Sequence, residues 1–164
     1  MNSNAPQQLK EARDSLIEQK PLVKMYNSSN FDEALLSGDV WIAYGYSGQL
    51  AKARDQNPNI QFVIPKEGSM LWMDNLAIPV SAPHKDEAYE FVNFCLQPEI
   101  AAQITNETGY PNANEASKKF IQPTILNNPA RYPDRQTLSR CEWSKDQPEV
   151  DVIKDRYWTE IKSK

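Results

Sequence analysis

Cysteine, histidine and glycine are scarce in this chain, which has two, one and five of them among 164 residues. Cys95 and Cys141 are too few for a disulfide scaffold and too far apart for a Cys-x-x-Cys metal knuckle, so free thiols are expected. The single histidine, His84, cannot complete a tetrahedral zinc site and has no partner motif for a catalytic triad. No glycine-rich loop is present to cradle a phosphate. These absences give no support to metal-dependent, nucleophilic or phosphate-loop catalysis.

Long apolar runs and an excess of positive charge are also absent. Mean hydropathy is -0.69, and no apolar run approaches the about 18 residues expected of a membrane helix. A net charge of -4 and a pI near 5.1 argue against a nucleic-acid-binding surface, which should be basic. The first residues carry neither the charged nor the apolar region of a signal peptide. The chain is therefore expected to be a cytosolic protein or a piece of a longer one.

Hydrophobic residues make up 40% of the chain, enough for a packed core, and they follow two different periods. Helical spacing, with proline or glycine at the borders, predicts helices over residues 6–19, 31–36, 49–56, 85–96, 98–104 and 151–162, with a helical turn at 118–122. Short apolar runs predict strands at 39–46, 60–65 and 70–80. Strands alternating with helices indicate an α/β fold. An open sheet usually has about four to six strands, so the low count indicates a missing part.

Aromatic side chains near a carboxylate are the feature most typical of a binding site. Asp74 follows Trp72 in a predicted strand that is otherwise apolar, where an unpaired carboxylate would be costly. Either a backbone turn donates hydrogen bonds to Asp74, or a ligand cation pairs with it. Trp72 offers an aromatic face to an ammonium group, an attraction of about 0.5–2 kcal/mol. Tyr44, Tyr46 and Tyr110 would add further faces, although each aromatic taken singly is more often a core residue.

A set of longer motifs runs in order along nearly the whole chain. They are GDVWIAYGYSG at 38–48, IPKEG at 64–68, WMDNLAIP at 72–79, AYEFVNF at 88–94, QPE at 97–99, GYPNAN at 109–114 and CEW at 141–143. Together they resemble the periplasmic spermidine/putrescine-binding proteins of ABC importers. The string from Pro-Lys-Glu-Gly through Trp-Met-Asp to Ile-Pro is the specific part of this resemblance.

The resemblance implies a type II periplasmic-binding-protein fold, in which two α/β lobes are joined by crossing strands, and the chain is similar to its C-terminal half only. It implies that residues 1–73 are a second-lobe segment, that 74–122 cross the hinge and complete the first lobe, and that 123–164 return to the second lobe. Helix 85–96 would then lack much of the sheet that it should cover. Poor solubility, dimerisation or swapped pairing of the isolated chain is expected.

The same resemblance implies a ligand slot. Trp72 would stack on the aliphatic chain of a polyamine, and Asp74 would accept a charge-assisted hydrogen bond from an ammonium group. Tyr110 matches an aromatic wall of the slot. Tyr46 stands where the family often has Trp, and Ser144 stands where it often has a ligand-contacting Gln. These two differences leave the preferred ligand open.

The implied function is capture of polyamines in the periplasm and their delivery to an ABC transporter permease, without catalysis, metal, cofactor or nucleic-acid partner. A missing N-terminal half, or self-association of the chain, would be a further partner. One alternative is a solute-binding protein for another small ligand; a site for an anion would place Arg or Lys at the position of Asp74. The others are an enzyme built on a similar α/β lobe and a cytosolic interaction fragment without a ligand.

Overall fold

The computed structural model describes residues 2–164, and helices dominate it. The α-helices are α1 Pro6–Gln19, α2 Phe31–Leu36, α3 Ser47–Gln56, α4 Lys85–Cys95, α5 Pro98–Thr108, α6 Pro123–Leu126, α7 Arg135–Leu138 and α8 Pro148–Ser163. Short 3-10 helices span Lys20–Leu22 and Glu115–Phe120, and the strands are β1 Met70–Leu71 and β2 Glu142–Trp143. The two strands pair in parallel. Within residues 2–164, no helix has both the length and the apolar character of a membrane span.

The helix predictions are confirmed, because the signals that begin and end a helix are local. Helices α1 and α2 have the predicted bounds, and α1 opens with Pro6, whose missing N–H costs nothing in a first turn. Helix α5 extends beyond the predicted end at Ile104 to Thr108, where Gly109 adopts φ +81° and provides a left-handed cap. Helix α8 begins at Pro148 rather than at Asp151. The predicted turn at 118–122 lies largely within a 3-10 helix.

The strand predictions fare worse. Neither 39–46 nor 60–65 forms a strand, and within 70–80 only β1 does. Trp41 is 94% exposed and Ile42 is 90% exposed, so the buried strand predicted there is wrong. A strand exists only where a second backbone accepts and donates its hydrogen bonds. In the described part of the chain, only β1 and β2 provide this for each other.

Helix α2 packs against α3, which buries Phe31, Leu50 and Ala51. Tertiary packing is concentrated in two further places. Helix α1 lies against α8, where Arg13 Nη1 is 3.1 Å from Glu160 Oε2. The second place is a small core in which Ala102 of α5 packs with Ile121 and Ile125, covered by Leu126 and Tyr132. This core fixes the end of α5, and therefore the loop that follows it, against the segment around α6.

Helix α4 remains largely uncovered. It has an apolar stripe but no buried residue, and Phe91 and Phe94 are 59% and 50% exposed. A helix with such a stripe normally buries it against a sheet or another helix. The apolar stripe of α4 is therefore exposed, whereas the expectation that a sheet belonging to it is missing stays a prediction.

Candidate ligand-binding site

A chain of aromatic rings forms where four separate parts of the fold meet. The Trp72 ring centroid lies 5.7 Å from that of Tyr46 and 5.5 Å from that of Tyr110, with interplanar angles of 74° and 71°. Tyr46 in turn lies 6.2 Å from Phe31. The two contacts of Trp72 are edge-to-face, the arrangement that ring quadrupoles favour, whereas the Phe31–Tyr46 contact is tilted at 56°. Trp72 is 40% exposed and Tyr46 46% exposed, so the cluster is ordered by ring contacts yet open to a ligand.

Each ring stands at the end of a secondary-structure element, which fixes its position. Tyr46 immediately precedes α3 and Trp72 immediately follows β1. Tyr110 follows the left-handed cap of α5, and Phe31 is the first residue of α2. The ends of the elements converge, and the aromatic cluster is the result.

Gly48 permits the closest approach in the cluster. A Cβ at this position would lie 2.7 Å from two atoms of the Tyr110 ring, closer than any real Cβ contact. Glycine therefore allows the ring to rest directly on the first turn of α3. Gly45 has the same relation to the ring of Phe31.

A buried amide holds the loop that carries Tyr110. Asn112 Nδ2 donates to a backbone carbonyl of α5 at 3.1 Å and to Thr105 Oγ1 at 2.8 Å. Asn112 Oδ1 accepts from the Asn114 N–H at 2.8 Å and from Ser117 Oγ at 3.0 Å. Thr105 and Ser117 are fully buried, so this one side chain satisfies polar groups that water cannot reach. The Asn of the Gly-Tyr-Pro-Asn motif is thus explained by structure.

Negative charge surrounds Tyr110. Burial raises the pKa of its hydroxyl above the ordinary value, and the charges of Asp74 and Asp32 raise it further, while a hydrogen bond from the Gln49 backbone lowers it. The Gln49 side chain also donates to Asp32 Oδ1 at 2.7 Å. Asp74 is exposed. Two carboxylates, Asp74 and Asp32, are therefore close enough to the aromatic cluster to act on Tyr110.

Asp32 and Gln49 were not predicted from the sequence. Asp32 lies in the first turn of a short helix, where an acidic residue is ordinary. Only the packing of α2 against α3 brings it to Gln49 and to the cluster. No motif or spacing could have marked it.

Ser144 and Tyr44 lie apart from the ring contacts. The Ser144 N–H donates to the Leu71 carbonyl at 3.3 Å, which places Ser144 beside the strand end that leads to Trp72. It also lines a cavity of about 270 Å³ with Met70 and Lys154. Tyr44 is 83% exposed. That Tyr46, Trp72, Asp74, Tyr110 and Ser144 contact a ligand stays a prediction.

Neither a metal site nor a disulfide is found in residues 2–164. No group of three or more His, Cys, Asp or Glu side chains is arranged to hold a metal ion there. Cys95 and Cys141 are free thiols, both partly buried, in line with the expectation from their spacing.

Comparison with known proteins identifies a family. The family model described as bacterial extracellular solute-binding protein matches residues 1–133. The chain is 33% identical over 162 residues to the spermidine/putrescine-binding periplasmic protein of Salmonella typhimurium, covering 99% of this chain and 47% of that protein. It is 35% identical over 159 residues to the putrescine-binding periplasmic protein PotF of Escherichia coli, covering 93% of this chain and 43% of that protein.

A solved structure agrees with these sequence matches. The spermidine/putrescine ABC transporter substrate-binding protein PotD from Streptococcus pneumoniae superposes with a TM-score of 0.82 at 31% identity, covering 99% of this chain and 50% of that one. The chain thus spans about half the length of the relatives that it matches. The fold is confirmed as part of a two-lobe periplasmic-binding-protein fold. The names of all three relatives describe binding proteins, and the name of the solved structure assigns it to an ABC transporter.

Proposed function

The chain belongs to the bacterial extracellular solute-binding protein family, and we propose that it captures polyamines such as spermidine and putrescine in the periplasm for an ABC transporter permease. The observation that carries this proposal is the aromatic cluster, in which Trp72 contacts Tyr46 and Tyr110. The charge of Asp74 also acts on the hydroxyl of Tyr110. Aromatic faces beside a carboxylate suit a ligand that is apolar along its length and cationic at its ends. The relatives' names support the same ligand class.

In this proposal each side chain has one task. The faces of Trp72, Tyr46 and Tyr110 hold the methylene chain, and Asp74 accepts hydrogen bonds from one ammonium group. Each ammonium–ring attraction is worth about 0.5–2 kcal/mol. Ser144, shorter than a glutamine, reaches the ligand less directly. Asp74 also favours a cation over an anion, which argues against the alternative of an anion-binding relative.

The lobes and the hinge are part of the same proposal. Residues 1–73 and 123–164 belong to one lobe, and 74–122 cross the hinge into the other. The two lobes close on the ligand, and the permease recognises the closed form. The function is binding without catalysis, because no candidate base and nucleophile pair stands at the cluster.

The test is a ¹H–¹⁵N NMR titration of this chain with spermidine. A chain that contacts the ligand from one side of the cleft only should bind about a thousandfold more weakly than a two-lobe receptor, a difference of about 4 kcal/mol. NMR detects such weak binding. We expect the Trp72 indole N–H to shift with a saturable curve. The shift should disappear in Asp74→Asn.

A matched variant and an anionic ligand control this titration. Asp86→Asn removes the same charge from α4, away from the cluster, and should leave the curve unchanged. Glutarate, an acyclic dianion of similar length, should give no shift at Trp72. Equal losses in Asp74→Asn and Asp86→Asn, or equal binding of glutarate, would contradict a specific polyamine site.

A further inference from the structure

A second cavity, of about 310 Å³, lies between α3, the end of α5 and the segment around α6. Its polar lining residues are Lys52, Asp55, Asn106, Gln122, Thr124 and Arg131. Lys52 is one helical turn beyond Gly48 on α3, and its stem would lie 3.5 Å from a Cβ on Gly109, the residue before Tyr110. The cavity therefore shares α3 and the end of α5 with the aromatic cluster, but none of the four aromatic rings lines it.

A buried arginine with a free donor lines this cavity. Arg131 is only 4% exposed, and its Nη2 donates to Asp55 Oδ2 at 2.7 Å. Its Nε is buried and has no hydrogen-bond partner among the described residues. A buried charged donor left without a partner costs at least as much as a neutral one, about 1–3 kcal/mol. Such a group calls for an acceptor in the space that it lines.

The rest of the lining also offers donors and positive charge. Lys52 forms no ion pair within residues 2–164, whereas Asp55 is already shared with Arg131. Two cations against one carboxylate leave the cavity with an excess of positive charge. Asn106 is held by its own contacts, because its Oδ1 accepts from the Gln122 N–H at 3.0 Å. The Gln122 amide and the Thr124 hydroxyl remain available to a ligand.

We propose that this cavity binds a small oxyanion of the phosphate or carboxylate class, with Arg131 Nε and Lys52 Nζ as its charged donors. Hydrogen bonds from charged donors to oxyanions are the strong ones. Asp55 holds the guanidinium through Nη2, and this contact leaves Nε without a hydrogen-bond partner among the described residues. The proposal does not depend on polyamine binding, because no residue of the aromatic cluster takes part. A bound anion would tie α3 to the segment around α6 and so brace the base of Tyr110.

Inorganic phosphate is the probe, added to this chain at constant ionic strength with chloride as the balancing salt. We expect saturable heat in a calorimetric titration and a rise in melting temperature with concentration, as for any ligand that binds only the folded state. Acetate at the same ionic strength distinguishes a carboxylate from a phosphate preference. Absence of saturation with both anions would overturn the proposal and leave a hydrated cavity.

Variants locate the binding. Lys52→Gln should weaken anion binding at least tenfold. Lys85→Gln removes an equal charge from α4 and should have no effect on anion binding. Arg131→Lys keeps the charge but removes Nε and should abolish saturation if circular dichroism shows it folded. If it does not fold, Lys52→Gln decides. Equal weakening by Lys52→Gln and Lys85→Gln would contradict a built site. These readouts are unaffected by whether spermidine binds.

Discussion

Replacing Gly48 by alanine tests whether close packing, rather than backbone freedom, is the reason for this glycine. Gly48 lies in the first turn of α3 and does not have a positive φ, so alanine is sterically allowed by the backbone. Helix propensity alone would make Gly48→Ala stabilising by about 1 kcal/mol. The new Cβ, however, would lie 2.7 Å from the Tyr110 ring, so the ring must move.

The two effects oppose each other, and packing should win. Inserting a methyl group into a filled contact costs about 1–3 kcal/mol. Tyr110 rests on Gly48 and also contacts the Trp72 ring, so a displacement away from the new Cβ disturbs its packing. We expect a net loss of about 1 kcal/mol in the free energy of unfolding, within a range of about 0–2. Urea unfolding followed by circular dichroism measures this difference.

A double-mutant cycle makes the expectation sharper. In a Tyr110→Ala background the clash is gone, so Gly48→Ala should become stabilising by up to about 1 kcal/mol. Gly38→Ala is the control, because Gly38 has φ +77° with nothing within 4 Å, and its cost should be the same in both backgrounds. If Gly48→Ala stabilises the parent chain, or destabilises both backgrounds equally, the reasoning about the Tyr110 contact is refuted.

Other predictions concern burial, pH and the uncovered helix. Asn112→Ala removes a hydrogen-bond partner from Thr105 and from Ser117, both fully buried, and should lower the unfolding free energy by about 2–4 kcal/mol. A loss no larger than that of Asn93→Ala, at an exposed position of α4, would contradict the network's role. Burial raises the pKa of Tyr110 above its ordinary value of 10.0, so its contribution to the free energy of unfolding is fully present below pH 10.0 and is lost as the pH rises through the folded-state pKa. The free energy of unfolding should therefore fall less steeply with pH in Tyr110→Phe than in the parent chain. Parallel curves for the two proteins would contradict this role of Tyr110. The exposed apolar face of α4 should make the chain self-associate in sedimentation velocity, and Phe91→Ser should weaken that association about tenfold; a sharp monomer with a cooperative melt would contradict this.

Much of the fold was determined by local sequence. The bounds of α1 and α2 follow from proline, glycine and the period of the apolar residues, because each helical hydrogen bond joins residues four apart. The aromatic set was also visible in the sequence, and Tyr46, Trp72 and Tyr110 are indeed neighbours in space. That these side chains suit a cationic ligand can be read from the sequence motifs alone. So can the resemblance to polyamine-binding proteins, with which the names of the similar relatives agree.

Tertiary structure alone decided the rest. The segments at 39–46 and 60–65 have sequences typical of strands, but a strand needs a distant backbone beside it, and local sequence carries no information about whether one is there. The pairing of Asp32 with Gln49 and the free Nε of Arg131 likewise arise where separate elements meet. Side chains far apart in sequence acquire a shared electrostatic environment only after the chain has folded. Helices could be predicted because each of their hydrogen bonds joins residues about one turn apart. Strand pairing, the hydrogen-bond partners of the carboxylates and the cavities depend on contacts between residues far apart in the sequence.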